Sequence, residues 1–434
     1  MQPHDDITLI PAAIAGRPVL VGFSGGLDST ALLHLLADTT HVRESGLRAL
    51  HVHHGLHPDA DAWRTHCQAV CDALGIDLTV AHVQVDCNSP LGPEGAAREA
   101  RHAAFSAELR EGEVLALAHH RDDQAETFLL RALRASGPDG LAAMRAWRTY
   151  GHGWLWRPLL DTPRDSLHAY AQTHGLEWIE DNSNRDTALD RNFLRHQVMP
   201  LLRTRWAGVE TALARAAQLQ AETVQLLQAE DAHALASVRT AEAAVIRADA
   251  LLALPPARRA RVLRAWVAEL GLPPLPAQGI ARIETELLRA RPDADASFSW
   301  ASAVVRYWQG LLHAGFRREP FPADWSTPWS FDVPLTLPGG GTLAMEGGDG
   351  VMTTPLRVHA RRGGERITLP GRSHSHALKH VLQDLGVPPW ERSQLPLLSD
   401  PDGALMAAGD LVYSAEFDAW LRTHGARLHW QPGG

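Results

Sequence analysis

One stretch near the N-terminus constrains the fold more than any other part of the chain. Residues 19–30 read VLVGFSGGLDST, which is an apolar run, a glycine turn and a helical start in direct succession. The apolar run is typical of a buried strand, and Gly25 and Gly26 let the backbone turn tightly. Backbone N–H groups of such a turn point towards an anion, and the helix dipole favours negative charge there. The stretch therefore predicts a phosphate-binding loop between a strand and a helix.

Strands and helices alternate through the first 200 residues. Strands are predicted over residues 19–23, 47–52, 76–85 and 114–118, and helices over residues 29–37, 58–74, 94–109 and 122–135. A further helix is predicted with Thr162 as its cap, Pro163 as its first residue and Gly175 at its end. Alternation of this kind predicts a doubly wound parallel α/β sheet, in which ligands bind at the carboxyl ends of the strands.

The pattern changes after about residue 204. Residues 209–290 are rich in Ala, Leu, Glu and Arg at helical spacing, with breaks at residues 255–256 and 273–276. Beyond Pro320 come short alternating runs and a Gly-Gly-Gly turn at residues 339–341. We therefore expect three domains: an α/β catalytic domain over 1–204, a helical domain over 205–325 and a small α+β domain over 326–434.

Composition excludes several classes of protein. No segment without Asp, Glu, Lys or Arg is longer than 13 residues, so no transmembrane helix is expected. The first six residues carry two acids and no Lys or Arg, which disfavours a secretory signal. Three cysteines without a C-x-x-C pair disfavour a disulfide framework, a zinc ribbon and a dithiol redox site. We therefore expect a protein of the cytoplasm.

The distribution of basic residues points to limited contact with nucleic acid. A net charge of −9 disfavours a protein that coats nucleic acid non-specifically. Lys379 is the one lysine among 41 basic residues, and arginine binds phosphate through two parallel hydrogen bonds. Two clusters lie at Arg258, Arg259, Arg261 and Arg264 and at Arg357, Arg361, Arg362 and Arg366. Each cluster predicts either a contact with phosphate groups or a solvated face.

The glycine turn differs from two common phosphate-binding loops, because both Gly-Lys-Ser/Thr and G-x-G-x-x-G are missing. Ser24, Ser29 and Thr30 offer hydroxyl groups beside the turn. An aspartate inside an anion site requires a cation between the two negative charges. Asp28 is therefore predicted to bind Mg²⁺ that bridges to a phosphate. The alternative is a plain strand–turn–helix in which serine and aspartate cap the helix.

Two histidine-rich segments follow the second and fourth predicted strands. His51, His53 and His54 come after one strand, and His119 and His120 come after the other. In one interpretation they line a nucleotide cleft, donate hydrogen bonds and titrate near neutral pH. In the other they hold a transition metal, as in metal-dependent hydrolases.

Charged residues on two predicted helices indicate bound ions. Asp122 and Glu126 share a helix face, with Asp123 one step round. Three acids within one turn repel each other, so they predict a nearby Mg²⁺ or substrate ammonium group, or else a solvated acidic face. Arg98 and Arg101 share a face of the preceding helix. They are predicted to hold an α-phosphate or to pair with nearby glutamates.

Residues 24–29 resemble the pyrophosphatase loop of the N-type ATP pyrophosphatases. Within that group, residues 119–127 (HHRDDQAET) resemble both the tRNA(Ile)-lysidine synthetase family and the tRNA cytidine thiolases. The thiolases carry paired cysteines for an iron–sulfur cluster, whereas Cys67 and Cys71 are spaced C-x-x-x-C without partners. Further segments that resemble the lysidine synthetase family are residues 51–56 (HVHHGL), 97–101 (AREAR), 181–184 (DNSN), Arg191, Asn192 and Arg195, 364–366 (GER), Lys379, 387–392 (VPPWER) and 395–398 (LPLL).

The resemblance to lysidine synthetases implies a reaction and its participants. It implies ligation of L-lysine to C2 of the wobble cytidine in an isoleucine tRNA with a CAU anticodon. ATP first adenylates the cytidine with Mg²⁺ as cofactor, and pyrophosphate and AMP are released. A thiolase-type modification of tRNA is the alternative. The oligomeric state stays open, with a homodimer as one alternative.

The residue patterns and the resemblance together assign candidate residues to each participant. ATP would be bound by Ser24, Gly25, Gly26, Leu27, Asp28, Ser29, Arg98 and Arg101. The candidate catalytic residues are Asp28, His119, Asp123 and Glu126, and the candidate lysine-binding residues are Asp122 and Glu126. The tRNA would be bound by Arg191, Arg195, Arg258, Arg261, Arg362, Arg366 and Lys379.

Overall fold

The computed structural model describes residue 14 and residues 16–55, 57–86, 89, 92–181, 186–291, 296–348 and 355–433. Leu56, Cys87 and residues 182–184, which belong to segments discussed above, lie outside the described residues. The chain forms two compact units, Met1–Gln228 and Ala229–Gly434.

The first unit is built on a six-stranded sheet in the order β3-β2-β1-β4-β6-β5. Its strands are β1 (Val19–Gly22), β2 (Leu47–His53), β3 (Asp77–His82), β4 (Val114–Ala116), β5 (Trp147–Tyr150) and β6 (Gly153–Trp156). All neighbours pair in parallel except β5, which pairs antiparallel with β6 at the edge. The predicted doubly wound sheet is confirmed. The β5–β6 hairpin is an addition that the sequence did not predict.

Among the described residues, ten helices belong to or follow this sheet in the chain. They are α1 (Leu27–Ala37), α2 (Thr40–Ser45), α3 (Ala60–Leu74), α4 (Gly92–Glu108), α5 (Arg121–Leu133), α6 (Pro138–Leu141), α7 (Arg164–Thr173), α8 (Asp190–Phe193), α9 (Met199–Arg205) and α10 (Val209–Val238). A π-helical turn over Leu194–Val198 joins α8 to α9. The predicted start of α7 was wrong by one residue: Pro163 has an extended backbone (ψ 145°) and precedes the first helical residue.

Alternate residues of β1 enter different hydrophobic cores. Val19 and Val21 pack with side chains of α1, α3 and α7 on one side of the sheet. Leu20 packs on the other side with Phe105 and Leu109 near the end of α4. Side chains of a strand alternate between faces, so both faces of the sheet are covered and the strand is apolar throughout. Polar chemistry is therefore confined to the segments that follow the strand ends.

The second unit begins with helices and an antiparallel sheet in the order β7-β10-β9-β8. Its strands are β7 (Val245–Arg247), β8 (Ala296–Trp300), β9 (Ala303–Trp308) and β10 (Leu311–Phe316), and its helices are α11 (Ala248–Ala253), α12 (Pro256–Glu269) and α13 (Ala277–Thr285), with a 3₁₀ turn at Leu287–Arg289. The predicted proline breaks are confirmed, since Pro255 and Pro276 occupy the N-cap positions of α12 and α13. The segment over 205–325 is not wholly helical as predicted, because β7 interrupts the helical pattern and β8, β9 and β10 complete a sheet with it.

The remaining residues form a β-rich module. Its strands are β11 (Ser326–Trp329), β12 (Leu335–Thr336), β13 (Thr342–Glu346), β14 (Leu356–His359), β15 (Arg366–Ile367), β16 (His376–Ala377), β17 (Leu397–Ser399), β18 (Leu405–Ala408), β19 (Val412–Tyr413) and β20 (Arg427–Gln431). Its helices are α14 (Leu378–Asp384), α15 (Pro389–Arg392) and α16 (Ala415–His424). Throughout the described ranges, every helix is too short or too polar to cross a bilayer.

Candidate active site

The glycine turn after β1 is shaped so that only glycine fits at its centre. Gly25 has φ +81°, and a Cβ there would lie 2.5 Å from Ile179 Cδ1 and 2.8 Å from Cys67 Sγ. Its carbonyl oxygen accepts a hydrogen bond from the Ile179 N–H at 2.9 Å. The turn is therefore pressed against two neighbouring segments and is held in one conformation.

Polar groups surround the start of α1 without capping it. Ser24 Oγ and Ser29 Oγ lie 3.0 Å apart, and the Ser29 hydroxyl donates to the Gly26 carbonyl at 3.0 Å. Gly26 is the N-cap residue and makes no side-chain capping hydrogen bond, and its own N–H donates to Ser24 Oγ at 3.4 Å. The first N–H groups of a helix lack partners within it, so an uncapped start with two hydroxyls beside it is suited to an anion.

A cleft of about 440 Å³ opens beside this turn, within the size range of small-molecule sites. Arg98 and Arg101 of α4 lie in its wall together with the aromatic side chains of Trp63 and Phe105. The sequence did not single out either aromatic residue. The other polar residues that line the cleft are Ser24, Asp28, Ser29, His51, His54, His102, His119 and Asp181.

The two carboxylate oxygens of Asp28, at the mouth of the turn, have different surroundings. Its Oδ2 lies 3.6 Å from His120 Nε2. Its Oδ1 is buried and has no hydrogen-bond partner among the described residues, with Arg164 Nε 3.8 Å away. Burial lowers the pKa of His120, but the carboxylates of Asp28 and Asp123 outweigh burial and raise this pKa above its usual value.

The unsatisfied Asp28 oxygen fits a magnesium ligand. Mg²⁺ prefers oxygen ligands and is usually held by one or two carboxylates together with substrate phosphates and water. The described residues contain no group of three His, Cys, Asp or Glu side chains arranged to hold a metal ion. A single carboxylate beside a phosphate site is consistent with a metal that arrives with a nucleotide.

The acids of α5 form ion pairs with arginines from α8 and the π-helical turn. Arg195 Nε donates to Glu126 Oε1 at 2.7 Å and Arg191 Nε donates to Glu126 Oε2 at 2.9 Å. Both guanidinium groups also reach Asp123 Oδ1, at 2.8 and 2.9 Å. Burial favours the neutral form of Asp123, but His120 and the two arginines outweigh it and hold the pKa of Asp123 below its usual range. Burial lowers the pKa of Arg195, but Glu126 and Asp123 outweigh burial and raise this pKa above its usual value.

Asp122, the third acid of this turn, is also paired. Its Oδ2 accepts from the backbone N–H of Arg164 at 3.0 Å, and its Oδ1 accepts from Arg203 Nη2 at 3.3 Å. The structure therefore brings four of the predicted site residues, Asp123, Glu126, Arg191 and Arg195, into one network, with Asp122 beside it. The roles predicted for them in catalysis, lysine binding and tRNA binding stay predictions.

The cationic side of the cleft keeps its histidines neutral. Burial, followed by the nearby Arg101 and His51, lowers the pKa of His54 to about 4. Burial, followed by Arg98 and Arg148, lowers the pKa of His102 to about 4. At neutral pH such imidazoles carry one N–H donor and one acceptor nitrogen each.

Comparison with known proteins shows which family has this architecture. Residues 6–202 match a PP-loop domain, residues 246–313 a TilS substrate binding domain and residues 356–430 a TilS substrate C-terminal domain. The tRNA(Ile)-lysidine synthase of Xanthomonas campestris pv. campestris is 54% identical over 98% of this chain and 97% of its own length. That of Xylella fastidiosa is 52% identical over 96% of this chain and 95% of its own.

The chain belongs to the tRNA(Ile)-lysidine synthase family. The predicted family and enzyme class are therefore confirmed: the chain is an ATP-using ligase that forms lysidine in tRNA. A solved structure of the U34-tRNA thiolase NcsA from Methanococcus maripaludis covers 50% of this chain and 75% of its own, with a TM-score of 0.42 and 17% identity. This likeness carries no argument for the thiolase alternative.

In this lysidine synthase family member, the five basic residues of the second unit that were predicted to bind tRNA fall into two groups. Arg258 and Arg261 of α12 both bind Asp231 of α10, with Arg261 Nε at 2.9 and 2.8 Å from its two oxygens. In the β-rich module, Arg362, Arg366 and Lys379 are exposed. Arg366 donates to the hydroxyl and carbonyl of Ser375, and within the described ranges none of these three forms an ion pair with an acid.

Arg157 contacts His119, which lines the cleft, and the sequence did not reveal it. It directly follows β6, is 6% exposed, and donates from Nε to His119 Nδ1 at 3.2 Å. The position after a strand is a sequence signal, but it becomes visible only once β6 is recognised as a strand.

Proposed function

We propose that the cleft beside the glycine turn binds MgATP and is the site where the wobble cytidine of an isoleucine tRNA with a CAU anticodon is adenylated before L-lysine attacks it. One observation carries this proposal. The uncapped start of α1 and the unsatisfied Asp28 Oδ1 lie in the same cleft as Arg98 and Arg101. Anion-binding and cation-binding groups meet there, as the phosphates of a magnesium nucleotide require.

The first step joins adenylate to the base. The C2 oxygen of cytidine attacks the α-phosphorus, the bond from that phosphorus to the bridging oxygen breaks, and pyrophosphate leaves. The N–H groups of the turn and the guanidinium groups of Arg98 and Arg101 stabilise the negative charge that grows on the phosphoryl oxygens. Mg²⁺ held by Asp28 would neutralise further phosphate charge. A base in a single-stranded anticodon loop can be turned out of its stack at small cost.

The second step replaces the activated oxygen by an amine. The neutral ε-amine of lysine attacks C2, the bond from C2 to the adenylated oxygen breaks, and AMP leaves with that oxygen. Because the amine has a pKa near 10.4 in water, it must lose a proton to a carboxylate or to solvent before it attacks. Asp28, Asp123 and Glu126 remain the candidate carboxylates.

We propose that the lysine subsite lies at the acids of α5, where the existing ion pairs limit which carboxylate an ammonium group can reach. Glu126 is 2% exposed and already accepts hydrogen bonds from Arg191 and Arg195. An ammonium group would have to displace a guanidinium there, whereas Asp122 keeps part of its surface in solvent. We therefore propose Asp122 as the acid that the lysine ammonium meets first.

We further propose that the three predicted domains have separate tasks. The α/β domain over 1–204 carries the chemistry, while the domains over 205–325 and 326–434 hold the tRNA. The proposal that the domain over 326–434 holds tRNA is supported by three exposed basic residues, Arg362, Arg366 and Lys379, whose charges are available to phosphates. A tRNA substrate and sparse cysteines also support a cytoplasmic location. A homodimer stays an alternative to a monomer.

The test is the release of pyrophosphate by Asp28→Asn. Removing one charge at a site that binds a metal nucleotide is expected to lower tRNA-dependent pyrophosphate release by about 100-fold. Thermal unfolding is expected to stay near that of the unaltered chain, because the contact of Asp28 Oδ2 with His120 is long, at 3.6 Å, and Oδ1 has no hydrogen-bond partner among the described residues. Glu44→Gln, an equal charge change at an exposed position of α2, is the control. Full activity of Asp28→Asn would contradict the proposal.

A further inference from the structure

His119 and Arg157 lie side by side because their strands are neighbours in register. Strands β4 and β6 pair in parallel, with Ala116 opposite Trp156. His119 follows the end of β4 by three residues, and Arg157 follows β6 directly. The carboxyl ends of both strands point to the edge of the sheet where the cleft lies, and His119 lines that cleft.

The side chain of Arg157 is held at two points. Its Nε donates to His119 Nδ1 at 3.2 Å, and its Nη1 donates to the Arg145 carbonyl at 2.7 Å. Its backbone N–H donates to the Ala146 carbonyl at 2.8 Å. A guanidinium group has donors and no acceptor, so the nitrogen of His119 that faces it must offer a lone pair.

We propose that Arg157 is a positioning residue that keeps His119 in the neutral tautomer with its proton on Nε2, so that His119 serves the adenylation step as a hydrogen-bond donor and not as a base. This inference rests on the proposed function of the cleft. It deepens that function by assigning a role to each nitrogen of one imidazole: Nδ1 is occupied by Arg157, and Nε2 carries the only proton.

The surroundings of His119 also favour its neutral form. Burial lowers the pKa of His119 to about 3, and the guanidinium groups of Arg157, Arg191 and Arg98 lower it while Asp123 raises it. Arg157 itself stays charged, since burial and neighbouring arginines lower its pKa only to about 10. A positive charge on the imidazole would be repelled by the three arginines, so His119 is neutral at working pH.

A neutral imidazole suits the first half-reaction. A preorganised N–H donor stabilises a phosphoryl oxygen as it gains negative charge, and a neutral donor achieves this without transferring its proton. The proton of the lysine amine must then go to a carboxylate or to solvent. This removes His119 from the candidate bases and leaves it among the catalytic residues as a donor.

The test is the nitrogen NMR spectrum of histidine ring-labelled full-length chain, with His119→Gln to assign the signals. The unaltered chain is expected to show His119 Nε2 protonated and Nδ1 unprotonated, with no titration from about pH 5 to about pH 9. Arg157→Met removes the donor while keeping an unbranched side chain. In that variant His119 is expected to lose its fixed tautomer and to titrate closer to its ordinary pKa of 6.5.

Arg131→Met is the matched control. Arg131 donates to the carbonyls of Gly140 and Ala143 and makes no contact with His119, so its loss should leave the His119 signals unchanged. Pyrophosphate release provides the kinetic readout. Arg157→Met is expected to release pyrophosphate more slowly at every pH, because its imidazole no longer presents an Nε2–H in one fixed position.

The outcomes separate the inference from the proposed function. A proton on Nδ1 in the unaltered chain, or titration of its His119 near pH 6.5, overturns the inference. So does a folded Arg157→Met whose His119 spectrum does not change. If Arg157→Met does not fold, the spectrum of the unaltered chain decides alone. Because the spectrum is recorded without ATP, a chain that releases no pyrophosphate would contradict the proposed function and leave the tautomer to be judged independently.

Discussion

Two sets of basic residues that look alike in the sequence differ in the structure. Arg258 and Arg261 of α12 point their charges at Asp231, a carboxylate that is 6% exposed. Arg366 and Lys379 of the β-rich module lie in solvent, and their charges meet no acid among the residues that the structure describes. A cluster of arginines in a sequence therefore predicts charge but not the partner of that charge. The charges of Arg258 and Arg261 are paired with the buried carboxylate of Asp231, whereas those of Arg366 and Lys379 are available to phosphates.

The same distinction applies to the catalytic unit. Arg191 and Arg195 neutralise Asp123 and Glu126, which are 9% and 2% exposed. Burying a carboxylate without a partner is strongly unfavourable, so these arginines stabilise the fold as well as the shape of the site. Substitutions can separate the two kinds of arginine, because loss of stability and loss of tRNA affinity are measured independently.

The largest expected effect is that of Arg195→Met. It leaves Glu126 with Arg191 as its remaining guanidinium partner, and breaking a buried ion pair from one side costs about 3 kcal/mol. Denaturant unfolding of the full chain measures this loss. Arg205→Met removes an exposed arginine of the adjacent helix α9 and should cost less than about 0.5 kcal/mol. Equal stability of the two variants would show that Arg195 is not a structural arginine.

A smaller loss is expected from Arg261→Met. Asp231 then keeps only Arg258, at 3.2 Å, so the free energy of unfolding should fall by about 1–2 kcal/mol. The salt dependence of tRNA binding should not change. Arg264→Met, in the same helix, is the control. If Arg261→Met instead weakens tRNA binding without loss of stability, this arginine belongs with the phosphate-binding set.

The smallest effect on stability is expected from substitution of the exposed basic residues of the β-rich module, which should instead change tRNA binding. The triple substitution Arg362→Gln, Arg366→Gln and Lys379→Gln should leave unfolding within about 0.5 kcal/mol. It should reduce the slope of log affinity against log salt concentration by roughly 1 for each phosphate that the protein no longer neutralises. Arg282→Gln removes an exposed arginine paired with Glu286 and should leave the slope unchanged. An unaltered slope in the triple variant would place the tRNA surface elsewhere.

The sequence predicted the parts of the molecule that are encoded in contiguous stretches. The alternation of strands and helices was sufficient for the doubly wound sheet, and the run from Ser24 to Ser29 was sufficient for the glycine turn between β1 and α1. The two proline breaks at Pro255 and Pro276 were also predicted correctly. In each case one local pattern carries the whole signal, so no knowledge of long-range contacts was needed.

The parts that could not be predicted depend on contacts between distant residues. The short strands β6 and β7 are stabilised by pairing with β4 and β10, which lie elsewhere in the sequence, and β5 joins the sheet through its hairpin with β6. Arg157 becomes part of the site only because β6 lies beside β4. Likewise, the partners of Arg195 and Arg261 lie 69 and 30 residues away, respectively.

The most direct test of the central claim follows the α-phosphate of ATP in the absence of lysine. The full chain is incubated with an isoleucine tRNA that has a CAU anticodon and with ATP labelled at the α-phosphate. We expect the label to appear on the tRNA together with free pyrophosphate, and to move into AMP when lysine is added. Asp28→Asn should transfer almost no label. Pyrophosphate release without tRNA, or labelled AMP with no labelled tRNA at any time, would contradict adenylation of the cytidine in this cleft.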